Sequence, residues 1–413
     1  MTTRARYLAS YHASVGAVTN ETQTFSTAQV GAVTTLTDAA NISTNLALNN
    51  NFQVTLAGNR TLDNPTNPGI SQSGSIFIVQ DGTGSRTLSY GTNWKFAGGT
   101  GPTLSAGGGD FYTYQIPKSV RMNKVSDNNG GNFSKTFSGS PTSTKKGTFS
   151  TWLKRASVPG DETHAILVTG AGGGSSEQDI KFENNKLRLS GYSPSMDLTT
   201  TQLFRDVSAW YHIVVAWDTT QGTSTNRVKA YVNGEQITSF STSTYPSQDQ
   251  VILWYSNTEN RIGLQSWNDN NVYNGYMAET IGIDGTTYAA SDFGETVNGV
   301  WVPKDASGLT FGNNGFYLNY ASSGDLGNDV SGNNNDWTAN NISSSDQMLD
   351  SPTFNSDSNG GNMCTWNPLD AKNMAAPTEG NLSVDFSGTN YNQIRGTMSI
   401  GNSGKWYMEL YKS

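Results

Sequence analysis

The sequence predicts an all-β protein: a small N-terminal β module, then an antiparallel β-sandwich, then a loop-rich C-terminal region. Three observations predict it. Apolar residues recur in short runs, either alternating, as in Phe52-Gln-Val54-Thr-Leu56, or continuous, as in Trp210-Tyr-His-Ile-Val-Val-Ala-Trp217. Gly, Asn, Asp and Ser cluster between the runs, where they supply turns. The 413 residues include 10 Trp, 18 Tyr and 16 Phe, so the chain can bury a core although only 34 % of it is hydrophobic and 14 % charged.

Residues 1–27 read as an N-terminal arm or short helix. Tyr7, Leu8 and Tyr11 share one helical face, with Arg4 and Arg6 beside them. Residues 28–105 form the first module. Val33-Thr-Thr-Leu36 opens it, the 52–56 run alternates, and Gly58-Asn59 turns the chain. Ser75-Ile-Phe-Ile-Val-Gln80 is a buried strand, and Arg86-Thr-Leu-Ser-Tyr90 is expected to pair with it as a hairpin. So few core positions in one module suggest a core completed by association. Residues 106–131 read as a linker around one strand-like piece, 111–116.

Residues 132–303 carry the strongest pattern. Strands are expected around 149–153, 165–168, 180–182, 186–189, 210–217, 228–232 and 250–254, with polar turns at Asn184-Asn185 and Asn233-Gly234. Asn233-Gly234 is a strong hairpin signal, since a type I′ turn needs φ > 0 at both positions. Residues 304–398 read as a loop-rich connector with one strand near 315–320. Residues 399–413 read as a closing strand.

Composition removes several functions. A net charge of −8 and a pI near 4.9 argue against a nucleic-acid partner. One cysteine, Cys364, allows neither a disulfide framework nor a cysteine zinc site. No run is long and apolar enough for membrane insertion, and no secretion signal is visible. Catalysis is not expected. Of the three histidines, His212 sits among core-like neighbours, and no H-E-x-x-H or G-x-S-x-G motif occurs. Glycoside hydrolysis needs two carboxylates on one face. Asp161 and Glu162 are adjacent and face opposite ways in a strand; Glu279 and Asp284 have odd spacing; Glu-x-Asp-x-x-Glu does not occur.

Three resemblances bear on function. The stretches 51–62 and 72–90, followed by Trp94-Lys-Phe-Ala-Gly-Gly-Thr, resemble a segment that recurs in phage tail and fibre proteins. Trp210-Tyr-His-Ile-Val214, Asp218, Ala230-Tyr-Val-Asn-Gly234, Arg261-Ile-Gly263 and Tyr273-Asn-Gly-Tyr-Met-Ala-Glu279 resemble the concanavalin A-like, laminin-G-type sandwich. The closing Ser403-Gly-Lys-Trp-Tyr-Met-Glu-Leu410 resembles the first strand of a SPRY-type domain. One strand cannot make a sandwich, so that likeness implies a longer natural chain.

Together these resemblances imply a homotrimeric fibre in the virion. Its N-terminal residues Arg4, Arg6, Tyr7, Leu8 and Tyr11 would dock on other virion proteins of the tail or capsid, and its sandwiches would meet a host-surface glycan or receptor. A capsid-decorating or purely structural fibre and a polysaccharide depolymerase are the alternatives. Trp254, Tyr255 and Trp267, lying near turn-rich segments, are the candidate stacking aromatics, with Asn268 and Asn271 to read hydroxyls. Trp152, Trp217 and Tyr231 read as core by period. No cofactor is required. The laminin-G likeness admits a calcium ion, for which Asp179, Asp218 and Asp269 are the candidate ligands, against the plainer reading of solvated turn residues.

Overall fold

The computed structural model describes residues 33–399, apart from 69–74, 82–83, 95–103, 105–117, 127–128, 159–162, 171–176, 193–194, 266–270, 298, 354–360 and 387–390. The candidate docking residues Arg4, Arg6, Tyr7, Leu8 and Tyr11 lie outside these, as do the strand-like piece at 111–116 and the SPRY-like segment. The chain divides into two compact units, 1–114 and 115–413. Among the described residues there is no α-helix.

The first unit is a stack of parallel strands. Val33–Thr35, Asn51–Leu56 and Ser75–Gln80 form one three-stranded sheet; Asn41–Ile42, Arg60–Leu62 and Leu88–Tyr90 form another. The chain visits the two sheets in turn, so each circuit lies on the one before, as in a solenoid. Ile42, Val54, Leu56, Leu62 and Ile78 fill the space enclosed. Two bidentate pairs, Arg60 on Asp38 and Arg86 on Asp81, brace the corners.

The hairpin expected between 75–80 and 86–90 does not form. The Gln80 side-chain amide grips Arg86 through both its N–H and its C=O, at 2.9 and 3.0 Å. That turns the chain through a corner instead of reversing it, and Leu88–Tyr90 continues parallel to Arg60–Leu62.

The second unit is the antiparallel sandwich. One sheet runs, edge to edge, Phe240–Thr244, Ser195–Thr200, Lys186–Tyr192, Gln178–Glu183, Thr163–Thr169, Glu259–Ile262, Asn132–Thr136 and Thr338–Asn340. The other runs Glu235–Gln236, Val228–Val232, Trp210–Asp218, Lys146–Arg155, Gly275–Asp284, Ser119–Met122 and Gln347–Met348, with Phe316–Leu318 also on Gly275–Asp284. The sheets thus take strands from both sides of the expected 132–303 span: 119–122 from the passage read as linker, and 316–318, 338–340 and 347–348 from the passage read as connector. Apart from 316–318, which falls within the strand expected near 315–320, these strands are two to four residues long, too short for a period to show.

No strand forms at 250–254. Ile252 N–H goes to Thr144 O and Leu253 N–H to the Gln178 side chain, so the backbone is satisfied piecemeal without a ladder. The Asn233-Gly234 hairpin forms as expected, with φ of 48° and 86° joining Val228–Val232 to Glu235–Gln236.

The two sheets differ in what covers them. The Lys146–Arg155 and Gly275–Asp284 strands are buried almost throughout. Phe149, Leu153 and Met277 join the main core. Val214, Ile281 and Ile283 pack on the other face against Phe293, Ala306 and Phe311. That accounts for the continuous apolar run at 210–217. The 178–200 strands instead alternate, with Ile180, Phe182, Leu187, Leu189 and Leu198 in the core and polar residues between them. One face of this sheet is therefore left to polar side chains.

Candidate functional site

The polar face holds a cleft of about 750 Å³. Three consecutive antiparallel strands build it. Gln178–Glu183 and Lys186–Tyr192 meet across Asn184 and Asn185, whose φ of 51° and 61° make the tight turn. The register sets Asp179 opposite Ser190, Lys181 opposite Arg188, and Ser190 opposite Asp197. Because side chains alternate, Asp179, Lys181 and Glu183 emerge on the same face as Arg188, Ser190 and Asp197.

Opposite charges are interleaved across this face. Arg188 reaches Glu183 at 2.6 Å and Asp197 at 2.8 Å, and Lys181 reaches Asp179 at 2.9 Å. Burial works against the Arg188 charge. The hydrogen bond to Asp197 and the charges of Glu183 and Asp197 outweigh it, and hold the guanidinium above its ordinary range. Ser190 Oγ donates to Asp179. At one end lies Glu177, only 6 % exposed. Gln265 donates to its Oε1 at 2.5 Å, and Asn271 donates to Gln265 in turn. Glu177 Oε2 is buried with no hydrogen-bond partner among the described residues. Burial pushes this carboxyl up; the Gln265 hydrogen bond opposes the rise and the Asp179 charge adds to it. At the rim Tyr192 is 77 % exposed.

The structure redistributes the candidates. Asn271 and Asp179 both line the cleft. Trp254 and Tyr255 do not: at 3 % and 1 % exposed they are core, with ring centroids 4.9 and 5.6 Å from Trp217. A turn-rich neighbourhood put them at the surface in the sequence reading, but that turn folds inward over Phe137 and Trp217. Trp267, Asn268 and Asp269 lie outside the described residues.

The calcium candidates are not brought together. Asp179 and Asp218 belong to different sheets. Asp179 is engaged by Lys181 and Ser190, and Asp218 by Thr220, Gln221 and Lys146. Among the described residues no three His, Cys, Asp or Glu side chains gather as a metal site. These two aspartates therefore do not fit a shared calcium ion.

Glu177, Lys181, Glu183, Arg188, Tyr192 and Asp197 were absent from the sequence candidates. Their signal was there: Glu177-Gln-Asp-Ile-Lys-Phe-Glu183 and Lys186-Leu-Arg-Leu-Ser190 alternate charged or polar with other residues at period two, marking a face that stays open.

Residues 128–280 match the family model described as the concanavalin A-like lectin/glucanases superfamily, laminin-G type. No curated protein matches the chain. Among solved structures, a putative carbohydrate-binding protein from Bacteroides ovatus is 14 % identical, with a TM-score of 0.37 over 57 % of this chain and 60 % of that one. A heptameric SAP-like pentraxin from Limulus polyphemus is 12 % identical, with a TM-score of 0.31 over 40 % of this chain and 75 % of its own. The CBM40 of a Ruminococcus gnavus sialidase, bound to α2,3-sialyllactose, is 12 % identical, with a TM-score of 0.27 over 38 % of this chain and 89 % of its own. Likenesses of this size leave the ligand unassigned. Residues 128–280 thus form a concanavalin A-like, laminin-G-type domain within the antiparallel sandwich of the second unit.

Proposed function

We propose that the chain is an adhesive fibre component of a phage virion, and that its sandwich binds a surface glycan in the cleft on the 178–200 strands. One observation carries the binding site: a polar cleft with an exposed aromatic, Tyr192, at its rim and, at its end, a buried carboxylate oxygen, Glu177 Oε2, without a partner among the described residues. An aromatic face stacks on the C–H face of a sugar ring, and fixed polar groups read its hydroxyls. The virion and fibre part rests on the sequence likeness at 51–94. The solenoid unit, with six buried apolar residues among the described ones, suits a module that gains stability from neighbouring copies.

Weak binding per sandwich suits such a fibre, because a trimer and several fibres multiply it. Two experiments test the reading. Binding of the full chain to host-surface polysaccharide is expected, and Tyr192→Ala should weaken it at least about fivefold, since losing an aromatic stack costs ~1–3 kcal/mol. Unchanged binding in Tyr192→Ala removes the cleft from the proposal. Light scattering should give three times the 44.3 kDa chain mass; a monomer removes the claim that these residues trimerise by themselves.

Glycoside hydrolysis is the second reading, favoured by Glu177 and Asp179, two neighbouring carboxyls of which burial lifts one. Against it, Asp179 is tied to Lys181 and Ser190. Release of reducing ends from bound polysaccharide, lost in Glu177→Gln, would establish hydrolysis in place of binding alone.

A further inference from the structure

We propose that the cleft takes neutral or amino-bearing saccharides and turns away acidic ones, an inference that rests on the glycan reading above and adds the charge class of the ligand. Among the described residues four carboxylates line the cleft, Glu177, Asp179, Glu183 and Asp197, against two cations, Lys181 and Arg188. Neither cation is free. Lys181 sits 2.9 Å from Asp179 and 3.8 Å from Glu183; Arg188 sits 2.6 Å from Glu183 and 2.8 Å from Asp197. A carboxylate, sulfate or phosphate on an entering sugar meets no unpaired cation there. To gain one it must break an ion pair and leave a carboxylate beside it, and like charges in contact reject a ligand.

Glu177 points the same way. Among the described residues its buried Oε2 accepts no hydrogen bond, and such a group is costly to leave unpaired. A sugar hydroxyl or an ammonium brings that donor, whereas an ionised acid group does not. Tyr192, exposed at the rim, offers a flat apolar face suited to a neutral ring.

Calorimetry on the full chain tests this with matched probes: lactose and sialyllactose, and chitosan and polygalacturonate oligosaccharides of equal length. EDTA is present so that no stray divalent cation supplies positive charge. The neutral and amino members should bind, and their acidic counterparts at least about tenfold more weakly. Glu183→Gln combined with Asp197→Asn releases Arg188 and should narrow the gap, with circular dichroism confirming that the variant is folded. Acidic and neutral probes binding equally, with both lost in Tyr192→Ala, would overturn the charge inference and leave the cleft as the glycan site. A gap unchanged in the double variant would also overturn it. Binding of neither class would overturn the glycan reading and this inference with it.

Discussion

Lys154 sets its ammonium 2.7 Å from the carboxylate of Asp350, 196 residues further along the chain, and both side chains are buried. Asn362 Oδ1 at 2.9 Å and Met363 O at 2.6 Å take the other two protons, so the ammonium is fully satisfied. Trp210 Nε1 donates to the far oxygen of Asp350 at 3.0 Å. This cluster fastens the C-terminal region to the Lys146–Arg155 strand. Removing one partner strands the other charge in the interior, so Lys154→Met should cost about 3–5 kcal/mol. The double variant Lys154→Met/Asp350→Leu should recover most of that. Urea midpoints for the single and double variants measure both; a double variant as unstable as the single one would show that the cluster acts through packing alone.

Trp254 and Tyr255 should prove to be stability residues. Trp254→Ala empties a site against Trp217 and is expected to cost about 3–5 kcal/mol. Tyr255→Phe loses only the 2.9 Å hydrogen bond to Thr148 O and should cost about 1 kcal/mol. Glycan affinity per folded molecule should stay at the wild-type value in both. A selective loss of affinity in Tyr255→Phe would return this residue to the binding site.

The turn at Asn233-Gly234 carries a constraint beyond its conformation. Gly234 has a φ of 86°, and a Cβ there would lie 2.8–3.0 Å from ring carbons of Trp301. Gly234→Ala should therefore cost more than the roughly 1 kcal/mol that positive φ alone exacts. Trp301→Leu should relieve the steric part. Thermal melts of the two variants and their combination measure the coupling, and strictly additive losses would remove the contact from the account.

What was legible in the sequence follows from which signals are local. The Asn233-Gly234 hairpin and the strands at 146–155, 178–183 and 210–218 are encoded by neighbours in sequence, and the all-β sandwich was read from them. The parallel solenoid was not, because its pairings join residues such as Asn51 and Ser75 with no turn motif between them; the nearest local signal at 86–90 pointed to a hairpin. The cleft was half legible. Asn271 was named as a reader of sugar hydroxyls and lines the cleft, while Asp179 was named for calcium. The ladder through Lys181, Arg188 and Asp197 depends on cross-strand register, which one strand's sequence does not state. Trp254 was misplaced for the converse reason: the polar residues 256–260 follow it in sequence, while its burial comes from Trp217, distant in the chain on the Trp210–Asp218 strand.

Buried His212 and half-buried Glu279 make opposite demands on pH. Trp301 Nε1 donates to His212 Nδ1 at 3.0 Å, so the ring proton sits on Nε2, which donates to Ser150 Oγ at 2.8 Å. Burial lowers the His212 pKa from 6.5 to about 3. Above 6.5 this imidazole is neutral folded or unfolded; as pH falls toward 3 only the unfolded chain takes the proton, and about 5 kcal/mol of stability is lost. Glu279, held at a φ of 48° and accepting from Tyr317 OH, is raised by burial from 4.5 to about 7. Its contribution is complete below 4.5 and is lost as pH rises through 7, about 3 kcal/mol in all. Between 4.5 and 6.5 the two slopes oppose, so the wild-type profile should be nearly flat there. Glu279→Gln should expose the histidine and make stability climb steadily with pH through that window. His212→Gln should do the reverse and make it fall. Urea midpoints across the window measure the slopes; a Glu279→Gln profile parallel to the wild type would mean that Glu279 ionises in the folded protein as it does in the unfolded chain.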